Sequence, residues 1–115
     1  MSSEIIDIEL AWLETRKKVS KRFGKAPDLN AALMLIGVQV YGTVKHSWTK
    51  EEKQDLMHIA VCHLFEKDGY YAVDTIDEDG WPHYIAIKDL PKMSLEEQEN
   101  LLKKKVINFF DQIDF

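Results

Sequence analysis

Apolar residues occupy every side of the stretch from Asp28 to Gly42, DLNAALMLIGVQVYG, when it is wound as a helix. Only Asn30 and Gln39 are strongly polar between Leu29 and Tyr41, and at about 100° per residue they point to opposite sides, so no polar stripe forms. The pattern predicts a helix over 28–42 that is buried at the centre of the fold, with Asp28 as its cap and Gly42 as its terminator. The spacing of Ile36, Val38 and Val40 would also suit a strand.

The flanking segments alternate differently. From Ser2 or Ser3 to about Phe23 the residues Ile5, Ile8, Trp12, Val19 and Phe23 make one long helical stripe, closed by Gly24 and Pro27. A second stripe, Ile6, Leu10 and Leu13, lies about a third of a turn round, and this surplus of apolar surface points to a second neighbour. Thr49 and Glu52 have the spacing of a capping box, which opens a third helix running to Glu66 or Lys67, with Gly69 beyond it. On that helix Leu56, Met57, Ala60, Val61, Leu64 and Phe65 share one half of the wheel. They are expected to pack on the 28–42 helix, leaving Glu51, Asp55 and Glu66 exposed.

Two β-type runs follow, separated by DEDG with Gly80 in the left-handed position of a hairpin turn. Pairing Asp77 with Trp81 sets Tyr71, Val73 and Thr75 beside Ile87, Ile85 and His83 and gives one largely apolar face. Pairing Ile76 with Trp81 sets Asp74 among isoleucines, and since a buried unpaired carboxylate is costly the first register is expected. Pro82 cannot donate to a ladder, which puts the second strand at an edge or makes its start irregular. Ser94 and Glu97 form a second capping-box match, opening a last helix whose stripe is Leu95, Leu102, Val106, Phe109, Phe110 and Ile113. The predicted architecture is therefore α+β and mostly helical, about four helices and one β-hairpin in the order α-α-α-β-β-α around the buried helix 28–42.

Length adds one statement: 115 residues are expected to form a single domain, 1–115. With 45% hydrophobic and 30% charged residues the chain reads as a folded globule, without repeats or low-complexity tracts. A net charge of -5 makes a general nucleic-acid binder an unfavoured reading, because such binding draws its affinity from neutralised phosphates. The start, MSSEIIDIEL, lacks a basic leader and an apolar run and is expected to be the start of the mature protein. The longest apolar window, Ala31 to Val38, is too short to span a bilayer, so no membrane partner is expected. The one cysteine, Cys62, has no internal partner for a disulfide; this suits a reducing compartment, and the protein is read as cytoplasmic.

Candidate chemistry concentrates on the third helix. Spacings of three and four bring Glu51, Asp55, His58, Cys62 and Glu66 into one band, where His58 and Cys62 could share a metal with Asp55 orienting the imidazole. One helix supplies too few ligands, and His46 or His83 would have to complete the set; a solvated helix face with a half-buried cysteine accounts for the same residues. Cys62 and His63 diverge by about 100° and cannot act as nucleophile and base. The acidic turn Asp74, Asp77, Glu78, Asp79 lacks the terminal glutamate of a calcium loop, since Ala86 stands there. WPHY, Trp81 to Tyr84, can line a pocket or serve as packing for the hairpin. The basic run 16–25 can hold an anion, though the helix dipole and a pair such as Glu14 to Lys18 account for it too.

No phosphate-cradling glycine loop, zinc-protease helix or nucleophile elbow is present, and no catalytic residue, metal or cofactor is assigned. The first expectation is a non-enzymatic protein-binding or self-assembling module, with Asp55, His58, Cys62, Trp81 and His83 as candidate binding residues. A homodimer through the first helix or the hairpin edge is the expected form of self-association. The alternatives are a small metal- or ligand-dependent enzyme centred on the 51–66 helix, and an anion or nucleic-acid binder using residues 16–25.

Overall fold

The structure, a computed structural model, describes residues 3–43 and 45–113, with side chains from residue 7 onward. Ser2 as a cap, and the side chains of Ile5 and Ile6 in the two stripes, lie outside the described residues. The elements follow the predicted order: α1 (Ser3–Phe23), α2 (Leu29–Tyr41), α3 (Lys50–Glu66), β1 (Tyr71–Ile76), β2 (Pro82–Ala86) and α4 (Leu95–Asp111). They fall into two compact units, one built from α1 and α4, the other from residues 30–91. No helix among the described residues is long and apolar enough to cross a membrane.

In the first unit α1 packs on α4. Ile8, Trp12, Val19, Val106 and Phe110 are buried, as the stripes require, and Thr15 is buried with them. Polar groups fasten the pair: the Lys103 ammonium meets Glu9 at 3.2 Å, and Lys18 Nζ donates to the Phe110 carbonyl at 2.9 Å, satisfying a carbonyl at the end of α4. Two expected core positions are not core. Phe23 is 54% and Leu95 83% exposed, because each stands at the far end of its helix, where the azimuth of a stripe says nothing of how far a neighbour extends. Leu10 and Leu13 of the second stripe are exposed as well.

In the second unit the two helices meet backbone to backbone. A Cβ built on Gly37 would lie 2.1 Å from the Leu56 carbonyl oxygen, so only glycine lets α2 approach α3 this closely. Around the crossing Ala32, Leu33 and Ile36 are buried, as are Leu56, Ile59, Ala60, Leu64 and Phe65 of α3. Glu51, Asp55 and Glu66 are exposed, as the wheel predicts. In place of cover on every side, α2 has one buried side while Met34, Leu35, Val38 and Val40 are half-buried, and Asn30, Ala31 and Gln39 reach solvent. The Gln39 amide therefore needs no internal partner. Both capping boxes form: Thr49 Oγ1 accepts from the Glu52 amide at 3.1 Å and Glu52 accepts from the Thr49 amide at 2.9 Å, and Ser94 and Glu97 reciprocate in the same way.

The hairpin lies on α3. Near the turn the ladder has the expected register, Ile76 opposite Pro82 and Thr75 opposite His83. Beyond Asp74 it does not. A bulge between Val73 and Thr75 shifts the pairing to Val73 with Tyr84, Ala72 with Ile85 and Tyr71 with Ala86. The extra residue takes Asp74 out of the ladder and leaves it exposed, so the carboxylate that argued against the second register is never buried. Strand alternation then puts Tyr71 and Val73 on the face of Tyr84, not beside Ile85 and Ile87 as expected. Those two isoleucines are 46% and 57% exposed.

Candidate functional site

The turn of the hairpin is built by one carboxylate. Asp77 Oδ1 accepts from the amides of Asp79 at 2.9 Å and Trp81 at 3.0 Å, while the Asp77 amide donates to the Trp81 carbonyl at 3.0 Å. Gly80 closes the turn at φ +87°, a conformation that favours glycine. The second oxygen, Oδ2, lies 2.9 Å from His83 Nε2. The His83 contact and the two amides hold the Asp77 carboxyl below the usual aspartate range.

An aromatic knot ties this turn to the helices. The Trp81 ring stacks on Tyr41 at the end of α2, with centroids 4.1 Å apart and planes within 14°. Trp48, just before the cap of α3, meets both edge-on, at 6.1 Å from Tyr41 and 6.2 Å from Trp81. The Tyr41 hydroxyl donates to the Asp79 carbonyl at 2.9 Å, and Lys45 Nζ stands 5.2 Å from the Trp48 ring centre. Such contacts contribute about 0.5–1.5 kcal/mol per aromatic pair beyond burial. The knot fixes β2 against the first turns of α3.

Between them lies a hollow of about 310 Å³. Helix α3 contributes Glu52, Asp55, His58 and Ile59; the hairpin contributes Asp77, Trp81, Pro82, His83 and Tyr84. Four of the five candidate binding residues, Asp55, His58, Trp81 and His83, thus line one space. The fifth, Cys62, does not. It is fully buried rather than half-exposed on the polar band, because its side of α3 is the side the hairpin covers. Its Sγ lies 3.5 Å from His58 Nε2, one turn earlier, and burial pushes the thiol up to about 11. A thiol so disposed is a poor nucleophile. His46 is exposed and does not line the hollow.

Two of the three lining carboxylates are committed elsewhere. Glu52 takes the Lys45 ammonium on one oxygen and the Thr49 amide on the other, and these bonds hold it below the usual glutamate range while raising Lys45. Asp77 holds the turn. Asp55 makes no such bond among the described residues and is exposed. Tyr84 is half-buried, and burial first, then the charges of Glu66 and Cys62, raises its phenol. Among the described residues no three His, Cys, Asp or Glu side chains are grouped to hold a metal ion.

The arrangement offers a carboxylate rim, two imidazoles, and indole and phenol walls. Residues 30–91 hold ten carboxylates against five lysines, whereas the rest of the chain balances ten against ten, so the whole net charge of -5 belongs to the unit with the hollow. Glu52 and Asp77, and the knot residues Tyr41 and Trp48, were not legible as site residues in the sequence, whereas Tyr84 belongs to the WPHY stretch that could line a pocket. The only local sign was the reach of Trp81 to Tyr84 beside a turn. No family model, no curated protein and no solved structure matches this chain.

Proposed function

We propose that this protein is a non-enzymatic binding module whose α3–hairpin hollow receives a cationic side chain, lysine or arginine, of a protein partner. The observation that carries this reading is the lining itself: carboxylates of Glu52, Asp55 and Asp77 around Trp81 and Tyr84, in the unit that bears the whole net negative charge. A cation over an indole or phenol face gains about 0.5–2 kcal/mol, and one exposed ion pair roughly 0.2–1 kcal/mol. Together about 0.7–3 kcal/mol, these terms put a single side chain at roughly 6 mM or weaker and leave the rest of the affinity to the surrounding surface.

The test is a titration of isotope-labelled protein, followed by amide NMR, with the N-acetyl amides of arginine, lysine and glutamate. The two cationic probes are expected to shift Asp55, His58, Ile59, Trp81 and His83 together, and Asp55→Asn and Trp81→Ala to weaken the response. Equal shifts from the glutamate derivative, or none from any probe, would overturn the reading.

Self-association has support of its own. Leu10 and Leu13 on α1 are 59% and 45% exposed, and Ile76, Ile85 and Ile87 of the hairpin region are exposed too. Apolar surface of this kind, with the open edges of a two-stranded sheet, is what a second copy of a chain covers.

A further inference from the structure

The hollow makes no use of the basic run on α1. Alongside it lies a separate groove of about 450 Å³, lined by Leu13, Arg16, Lys17, Lys18, Lys21 and Ala26 among others. From Arg16 to Lys25 the chain holds six cations and no carboxylate, which far outweighs the roughly half negative charge of a helix C-terminus. Two of the lining cations are positioned by backbone carbonyls: Arg16 Nε donates to Pro27 at 2.7 Å and Lys18 Nζ to Phe110 at 2.9 Å. The Pro27 carbonyl fixes the direction of the Arg16 guanidinium without neutralising it, as a carboxylate would. Arg16 uses only Nε for this bond, so both terminal nitrogens of its half-buried guanidinium stay available as a planar donor pair. The one carboxylate on the groove, Glu14, pairs with Lys17 at 3.7 Å across an exposed surface, where such a pair is worth little.

We infer that this groove is a binding site for a phosphate group, held by the Arg16 fork and by the ammonium groups of Lys17 and Lys21. Tetrahedral oxyanions match the fork geometry, and a positioned arginine among lysines is the arrangement that recognises them. The site is independent of the hollow on α3.

The probe is inorganic pyrophosphate, titrated at low ionic strength into the labelled full chain. Saturable shifts confined to residues 13–26 are expected, with at least a tenfold loss of affinity in Arg16→Gln. Lys21→Gln, an exposed residue with no bond among the described residues, is expected to weaken binding several-fold while leaving the thermal midpoint unchanged. A second arm uses phosphatidylcholine vesicles with and without phosphatidic acid. Sedimentation with the acidic vesicles alone, lost in the same variants, makes the phosphate that of a lipid headgroup; pyrophosphate binding without vesicle binding makes it that of a soluble ligand. Failure to saturate in both arms overturns the inference, and so does binding that both variants leave intact.

Discussion

The crossing of α2 on α3 gives the sharpest stability test, because one hydrogen atom on Gly37 decides it. In Gly37→Ala the new methyl would stand 2.1 Å from the Leu56 carbonyl oxygen, against an ordinary contact of 3.4 Å or more. The helices must part by about 1.3 Å, the difference of those two distances, since the obstacle is backbone and has no rotamer to adopt. Overpacking a tight core costs typically 1–3 kcal/mol, and a rigid backbone clash belongs at the upper end, about 3 kcal/mol. Alanine offsets about 1 kcal/mol of this through its higher helix propensity. A net loss of about 2 kcal/mol follows. With a urea slope of about 1.5 kcal/mol/M the unfolding midpoint should fall by roughly 1.3 M. The exposed Gln39→Ala on the same helix serves as control, with a change within about 0.5 kcal/mol. A Gly37→Ala protein as stable as the parent would refute the close crossing, and with it the placement of Asp55 and His58 that depends on α3.

Cys62 should resist a thiol reagent in the native protein and react readily in urea; equal rates would contradict its burial. Its thiol is raised from 9.0 to about 11, so the unfolded chain loses that proton first and stability should fall between pH 9 and 11, Tyr84 adding in the same direction. Asp77 behaves oppositely: its folded carboxyl lies below the ordinary 3.8, so the turn it holds is fully stabilised above that pH and loosens as pH falls through the lower folded value. Trp81 fluorescence should follow that acid transition, and Asp77→Asn should abolish it; an unchanged transition would sink the assignment. For self-association, sedimentation at micromolar concentration should give a dimer that Leu10→Glu converts to a folded monomer, and either a monomeric parent or an unfolded variant would refute the dimer.

Helix limits and both capping boxes were legible because a cap is a local arrangement: Thr49 with Glu52, and Ser94 with Glu97, need only the right spacing before an apolar stripe. The burial of Leu56, Ala60, Leu64 and Phe65 was legible for the same reason, as a pattern within one helix. The hairpin register was not. Its two pairings differed mainly in where Asp74 would go, and a bulge that ejects Asp74 lets the ladder take one register on each side of it. The hollow stayed hidden for a different cause. Asp55 and His58 belong to α3 and Trp81 and His83 to β2, and what brings them together is the contact of Trp81 with Tyr41, a pair far apart in sequence with no local signal. Phe23 and Leu95 failed because a stripe gives direction around a helix but not the length of its partner.

The same residues that end the elements also shape the site, and that coupling bears on selectivity. Glu52 closes the cap of α3 and Asp77 closes the hairpin turn, so neither can turn fully toward a ligand without loosening backbone that holds the hollow open. Lys45 and His83 further occupy their remaining oxygens. Fixed in this way they supply a steady negative field more than direct contacts. In the proposed binding of a cation, direct pairing would fall to Asp55, the lining carboxylate with no bond among the described residues, and the apolar part of the cation to Trp81, whose other face is already braced by Tyr41. A braced ring loses little entropy on binding, which favours a flat guanidinium stacked on indole over a compact ammonium that gains only the field. Of the two cationic probes, the arginine derivative should therefore bind the tighter, and Asp55→Asn should weaken both while Trp81→Ala narrows the difference between them.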